Sequence, residues 1–244
     1  MEITLFDTIQ FFLLAILIVF GVYYLYTEFF GRNYEPLIWK NFLKEDKIDS
    51  GLFKASKTYK DKNRFFNFWF QVERLKSENV QGAFAELGVY KGETAEILHL
   101  MDKTREIHLF DTFEGFTEKD LENETGKAAT YTKHNFADTS IESVKAKLKS
   151  DKFVFHKGYF PESTKNLQPK KYALVSMDVD LYNPTKAGLE YFYPLLQKGG
   201  LMLIHDHNPD WPGIMKAVEE FSQTISEPFI QLIDRDSTVM LVKS

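Results

Sequence analysis

The spacing of apolar residues along the chain changes character several times. Residues Phe11–Tyr26 (FFLLAILIVFGVYYLY) carry no charge, and Thr8–Gln10 extend the run at the front. With Ile3, Leu5 and Phe6 the stretch approaches the roughly 20 residues that cross a hydrocarbon core of about 30 Å. A segment apolar on every side predicts a helix with no polar face. Tyr23, Tyr24, Tyr26, Phe29 and Phe30 stand at one end, where an interfacial aromatic belt lies. A cleaved signal peptide wants basic residues at its start and small residues at its cleavage site, whereas this segment has Glu2 and Asp7 before it and tyrosines at its end. The reading is one transmembrane helix within an anchor over residues 1–30. The acidic front flank, with Arg32 and Lys40 behind, places the main domain on the cytoplasmic side of the membrane.

Residues 31–61 read as a connector with one or two short helices, one of them at Pro36–Leu43. Over Lys62–Ser77 the residues Phe65, Phe68, Trp69, Val72 and Leu75 recur at three- and four-residue intervals and predict a helix with one apolar face. From there short apolar runs alternate with amphipathic stretches: Ala83–Leu87 then Thr94–Met101, Ile107–Asp111 then Ile141–Leu148, Phe153–His156, Leu174–Asp178 then Thr185–Leu196, Leu201–His205 then Gly213–Ile225. This alternation predicts βαβ units, a parallel sheet with helices on both faces, over a domain spanning residues 62–244. Phe229–Ile233 and Thr238–Val242 flank the polar turn Asp234–Ser237 and predict a closing antiparallel hairpin, for seven strands in all.

Composition narrows the chemistry. The 244 residues are 44% hydrophobic and 27% charged with a formal net charge of −5, which argues for a globular domain and against a nucleic-acid partner. With no Cys, thiolate nucleophiles, disulfides and Cys-ligated metals are excluded.

In an open α/β sheet, ligands bind beyond the carboxyl ends of the strands. The first predicted strand ends in Glu86-Leu87-Gly88-Val89-Tyr90-Lys91-Gly92-Glu93-Thr94. Gly88 permits a sharp turn and close approach to a ligand, while Gly92 and Thr94 open the next helix. The run lacks the G-x-G-x-x-G of dinucleotide sites, which disfavours a nicotinamide oxidoreductase, and Glu86 is placed to meet an ammonium group. The second strand ends at Asp111-Thr112-Phe113, where a carboxylate accepts two hydrogen bonds from a ribose diol. The fourth delivers Asp178 and Asp180, two acids at i and i+2 that extended backbone points to one side. The fifth delivers His205-Asp206-His207 beside them. Like charges gathered this closely imply a cation or a shared proton. Carboxylates suit Mg²⁺, and an imidazole ligand pulls preference toward Mn²⁺, Fe²⁺ or Zn²⁺. The long polar stretch Glu114–Ser140 reads as a functional lid or a disordered segment. Gly158–Ser163 is a candidate contact to an adenine or a substrate.

At Ala85–Ala95, Asp111-Thr112-Phe113-Glu114-Gly115, Gly158–Ser163 and Asp178-Val179-Asp180-Leu181-Tyr182, the chain resembles the macrocin O-methyltransferase family. The resemblance covers about Phe65 to Val242. It implies a Rossmann-like class I methyltransferase fold that uses S-adenosylmethionine and a divalent cation, Mg²⁺ first and Mn²⁺ second, to methylate a sugar hydroxyl. Carried onto this chain, it assigns Asp178 and Asp206 to the metal, with His205 beside them, and Asp180 to the general base; His207 is the alternative base. Glu86, Gly88, Tyr90, Gly92, Thr94, Asp111, Thr112 and Phe113 would hold the cofactor. The family often has two adjacent acids where this chain has His205-Asp206. The expected partners are a small-molecule or glycan acceptor, the membrane through the N-terminal helix, and a second copy of the chain. A catechol or other vicinal diol is the alternative acceptor, and a tethered binding module without catalysis is the alternative function.

Overall fold

The computed structural model describes residues 4–27, 35–122 and 124–244. Glu2, Ile3, Phe29, Phe30 and Arg32, invoked above for the anchor and its orientation, lie outside the described residues. The chain divides into two compact units, residues 1–49 and 50–244.

In the first unit α1 (Leu5–Tyr26) starts at a capping box: the Thr4 hydroxyl accepts from Asp7 N, and the Asp7 carboxylate accepts from Thr4 N. None of its 22 residues is buried. At 1.5 Å per residue it is roughly 33 Å long, and in length and composition it suffices to cross a membrane. Helix α2 (Leu37–Lys44) begins directly after Pro36, one residue later than its apolar pattern indicated.

The second unit begins with α3 (Ser50–Thr58), a segment that its sequence pattern assigns to the connector. Its inner face carries only Leu52 and Ser56, too short a stripe to register as a period, yet it packs on α5. Helix α4 (Lys62–Ser77) is capped by Asp61, whose carboxylate accepts from the N–H groups of Asn63 and Arg64, and buries Phe65, Phe66, Phe68, Trp69, Val72 and Leu75.

The sheet comprises β1 (Ala83–Leu87), β2 (Ile107–Asp111), β3 (Phe153–Lys157), β4 (Tyr172–Met177), β5 (Leu196–Ile204), β6 (Ile230–Gln231) and β7 (Val239–Val242), in the order β3-β2-β1-β4-β5-β7-β6. Strands β1 to β5 are parallel, and β7 runs antiparallel to both neighbours, β5 and β6. This is the parallel sheet with a closing antiparallel hairpin that the alternation of runs predicts, in the Rossmann-like class I methyltransferase arrangement that the family resemblance implies. Between the strands lie α5 (Glu93–Met101), α6 (Glu118–Leu121), α7 (Ile141–Lys147), α8 (Tyr182–Phe192) and α9 (Pro212–Ser222).

Strands β1 and β4 are buried on both faces. Ala83, Ala85 and Leu87 join Val175, Met177, Met202 and Ile204 in one core with Leu189 and Phe192 of α8 and Ile214 and Val218 of α9. Strand alternation turns Phe84 and Glu86 to the opposite face, the side of α5. Phe110, Phe160, Tyr172 and Phe192 interlock at centroid separations of 5.4–5.8 Å. Strand β5 starts five residues before its apolar run, because Gly199 at φ +76° carries the chain through an irregular start that slips the register with β4.

Candidate active site

Register explains why the strand-end residues meet. Leu87 pairs with Phe110 on one side and with Met177 on the other, and Met177 pairs with Ile204. The residues that follow, Gly88, Asp111, Asp178 and His205, therefore leave the sheet along one edge. They line a cavity of about 360 Å³ together with Glu86, Tyr90, Thr94, Thr112 and Asp180. The β1 turn comes so close to β4 that a Cβ on Gly88 would lie 1.9 Å from the Asp178 carbonyl oxygen, and Gly88 sits at φ +84°, where side chains are rare.

At the end of β1, Glu86 is 2% exposed and its Oε2 has no hydrogen-bond partner. Burial, reinforced by the charge of Asp178, raises its pKa well above the usual carboxylate range. A buried acid facing a cavity with a free oxygen calls for a cationic or proton-donating ligand. Asp111 is more heavily committed than its sequence position suggests. Its Oδ2 accepts from Val89 N (2.6 Å) and Tyr90 N (2.9 Å), and its Oδ1 accepts from Phe113 N (2.7 Å). A carboxylate has about four acceptor positions; three are taken by backbone N–H groups and the Thr112 hydroxyl lies 3.4 Å from Oδ1, so the side chain ties the turn after β1 to β2. Gly92 and Phe113 do not line the cavity. Gly92, at φ +71°, is the N-cap of α5, and Phe113 is buried 6.0 Å from the ring of Phe155.

Beyond the ends of β4 and β5, His205 Nδ1 lies 3.3 Å from Asp178 Oδ1 and 3.1 Å from Asp206 Oδ2. These three groups offer ligand atoms within 4.8 Å of one another. His205 is 8% exposed, and its Nδ1 has no partner in hydrogen-bond geometry. A buried nitrogen between two carboxylate oxygens, without an aligned hydrogen bond, makes this a candidate cation site whose donors fit a divalent ion. Without an ion, burial opposes a charge on His205 but the field of Asp178 outweighs it, raising its pKa to about 10. Asp178 is driven the other way: burial is overcome by Arg64 and His205, and its carboxyl stays well below the ordinary range. Asp180 is raised by burial and by the neighbouring charges of Asp178 and Asp206.

Asp180 does not reach the site by strand alternation. Strand β4 ends at Met177, and Asp180 takes φ +60°, as Asp206 takes φ +59°. Tyr90 and Phe136, which line the cavity with Asp180, take φ +49° and +56°, and non-glycine residues gathered in the left-handed region mark a site where strain is held by its surroundings. That turn at Asp206 also carries His207 away: its N–H donates to the Ser237 carbonyl, and, although neither Asp206 nor His207 lines the cavity, only Asp206 converges with Asp178 and His205. The structure thus brings Asp178, Asp180, His205 and Asp206 together and leaves out His207, the alternative base.

Three contributors carried no sequence signal. Arg64, in the first turn of α4, places Nη1 2.9 Å from Asp178 Oδ2. Tyr59 lines the cavity and its hydroxyl lies 3.0 Å from that of Thr94. Tyr131 donates its hydroxyl to Asp180 Oδ1 at 3.3 Å. Tyr131 belongs to the polar stretch 114–140, of which Gly115, Phe116, Asp120 and Phe136 line the cavity. Phe116 stacks on Tyr131 and meets Phe136, Phe136 meets Tyr90, and Asp138 accepts from the Tyr90 hydroxyl. Gly158, Tyr159 and Phe160 also line the cavity, as their position after β3 suggested.

With this geometry in hand, similarity to known proteins becomes informative. A family model described as macrocin O-methyltransferase (TylF) matches residues 40–240. The chain is 26% identical over 159 residues to the 8-demethyl-8-(2,3-dimethoxy-alpha-L-rhamnosyl)-tetracenomycin-C 4'-O-methyltransferase of Streptomyces olivaceus, covering 60% of this chain and 61% of that protein. It is 28% identical over 189 residues to the mycinamicin III 3''-O-methyltransferase of Micromonospora griseorubida, covering 70% and 73%. Among solved structures, the O-methyltransferase NovP superposes with a TM-score of 0.64 at 26% identity, over 75% of this chain and 80% of that one. A family match over residues 40–240, a span that holds the residues lining the cavity, means that the chain belongs to the macrocin O-methyltransferase family.

Proposed function

We propose that this protein transfers the methyl group of S-adenosylmethionine to a sugar hydroxyl with the help of a divalent cation. The observation that carries the reading is one cavity lined both by Glu86, with its unpartnered oxygen, and by Asp178 and His205, which converge with Asp206 on one point. Glu86 accepts from the amino acid ammonium of the cofactor, the 88–90 turn carries its backbone close, and Asp111 accepts from one ribose hydroxyl. Asp178, His205 and Asp206 hold the cation. When bound, the cation lowers the pKa of a coordinated hydroxyl and orients it, and the cofactor supplies an already electrophilic methyl. Asp180 accepts the proton from the acceptor hydroxyl. The aromatic residues of the 114–140 segment keep water from the reacting oxygen. The relatives named for rhamnosyl and mycinamicin substrates favour a sugar over a catechol acceptor.

Calorimetric titration of the full chain in detergent with S-adenosylmethionine tests the reading. Micromolar binding is expected, and absence of binding with or without Mg²⁺ or Mn²⁺ overturns it.

Helix α1 serves, on this reading, as a single-pass anchor that holds the enzyme on the cytoplasmic face, next to a membrane-associated glycan or glycolipid acceptor. Its support is a 22-residue apolar helix with no buried residue, which leaves that surface for lipid. Carbonate extraction and protease accessibility of membranes bearing the full chain check this; release by carbonate, or protection of the domain inside cytoplasm-facing-out vesicles, counts against it.

A further inference from the structure

The donors at the cation site are unusual in kind and in number. One is an imidazole nitrogen, His205 Nδ1, and the other two are carboxylate oxygens of Asp178 and Asp206. Arg64 reduces the supply of oxygen further. Its Nη1 occupies Asp178 Oδ2 at 2.9 Å, so Oδ1, 3.3 Å from His205 Nδ1, is the Asp178 oxygen left for an ion. The guanidinium side chain is only 11% exposed, so this pairing is shielded from competing water.

Mg²⁺ favours an octahedral shell of oxygens, keeps several waters and gives them up reluctantly. A nitrogen donor in place of a carboxylate removes one negative charge and one hard oxygen from such a shell. Manganese and the later first-row dications accept imidazole nitrogen readily, with a partly covalent bond that Mg²⁺ does not form. Restricting Asp178 to one oxygen sharpens the difference, because no second carboxylate oxygen is there to replace the missing one.

We infer that His205 coordinates the ion through Nδ1 and turns this site toward manganese and the later transition-metal dications against Mg²⁺, with Arg64 holding Asp178 to a single coordinating oxygen. The inference rests on the cation-assisted reading of the site given above, and goes beyond it in naming the residue that selects the ion.

Manganese is the probe, used with the full chain in detergent. Pulsed electron paramagnetic resonance of bound Mn²⁺ is expected to show ¹⁴N coupling from a coordinated imidazole, absent from His205→Asp. In competition, Mg²⁺ should need about a hundredfold excess to release half of the Mn²⁺, and His205→Asp should lower that excess about tenfold or more, as hard oxygen replaces nitrogen. Bound Mn²⁺ without ¹⁴N coupling in the wild type, or release by equimolar Mg²⁺, overturns the inference whatever the variant does. Titration of the same samples with S-adenosylmethionine separates the two readings. Cofactor binding with no Mn²⁺ binding sinks both the ion and its selection while sparing the methyltransferase assignment; loss of cofactor binding sinks the assignment itself.

Discussion

Arg64 Nη1 lies 2.9 Å from Asp178 Oδ2, joining the first turn of α4 to the carboxyl end of β4. The Arg64 side chain is 11% exposed and that of Asp178 is 29% exposed, toward the cavity. Removing one member of such a pair strands the other charge with little water to screen it. Arg64→Met is expected to destabilise the domain by about 3 kcal/mol, the lower part of the range for broken buried pairs because the cavity partly hydrates Asp178. Denaturant unfolding followed by tryptophan fluorescence measures it; a loss below about 1 kcal/mol, the range of exposed pairs, means that the pair is effectively solvated.

Asp180→Asn keeps the shape of the side chain and removes its ability to take a proton. Turnover should fall about 100-fold or more, the scale of general-base catalysis, while affinity for S-adenosylmethionine stays within a few-fold. Steady-state rates and calorimetry on one preparation check both halves. Near-normal turnover would remove Asp180 from the base role.

Tyr131 reaches Asp180 from the segment that covers the cavity, so its hydroxyl is the link between closure and the base. Tyr131→Phe retains the ring that stacks on Phe116 and loses only the hydrogen bond. The expected result is a kcat about tenfold lower, equivalent to about 1.4 kcal/mol, with cofactor affinity unchanged. An equal loss in cofactor binding would show that the ring, not the hydroxyl, was disturbed.

Gly88→Ala places a methyl 1.9 Å from the Asp178 carbonyl oxygen at a φ of +84°. The backbone on both sides belongs to buried strands and cannot move aside cheaply. A loss of at least about 2 kcal/mol in stability is expected from overpacking and the strained φ together. Cofactor binding should disappear with it, as thermal unfolding with and without S-adenosylmethionine would register. A variant that melts like the wild type and is still stabilised by cofactor would contradict the close approach of β1 and β4.

His156 on β3 lies 2.9 Å from His108 on β2 through ring nitrogens, and burial, with a smaller effect from His108, lowers its pKa from 6.5 to about 4. Between those values the unfolded chain binds a proton that the native chain refuses. The stability of the native state is therefore complete above about pH 6.5 and declines as the pH falls toward 4. His156→Gln removes this proton uptake, so its melting temperature should fall less between pH 7 and pH 5 than that of the wild type. Equal falls would place the acid sensitivity elsewhere.

The alternation of apolar runs with amphipathic stretches located every strand within a few residues, because a parallel sheet buried on both faces demands continuous apolar runs. Since ligands gather at strand ends, the same pattern singled out Glu86, Gly88, Asp111, Asp178, Asp180, His205 and Asp206. Only β5 and the short β6 differed much in extent, where Gly199 and the polar turn set geometry that hydrophobicity does not encode. Helix α3 agrees with the one or two short helices read into the connector, but its position was not legible because its buried stripe is two residues long.

What the sequence by itself determined is therefore the order of elements, the apolar segment that lacks any polar face, and the set of residues closing each strand. All of these depend on local periodicity, and periodicity is written in the chain. Tertiary structure decided which neighbours those residues acquire. Register set Gly88, Asp111, Asp178 and His205 side by side; packing of α4 delivered Arg64 to Asp178, and the folded 114–140 segment delivered Tyr131 to Asp180. A left-handed turn at Asp206 sent His207 away, and three backbone N–H groups claimed most of Asp111. Each of these is a contact between residues far apart in the chain, or a backbone angle past the end of a strand. Alternation stops where the strand stops, and no local pattern specifies what long-range packing then brings into reach.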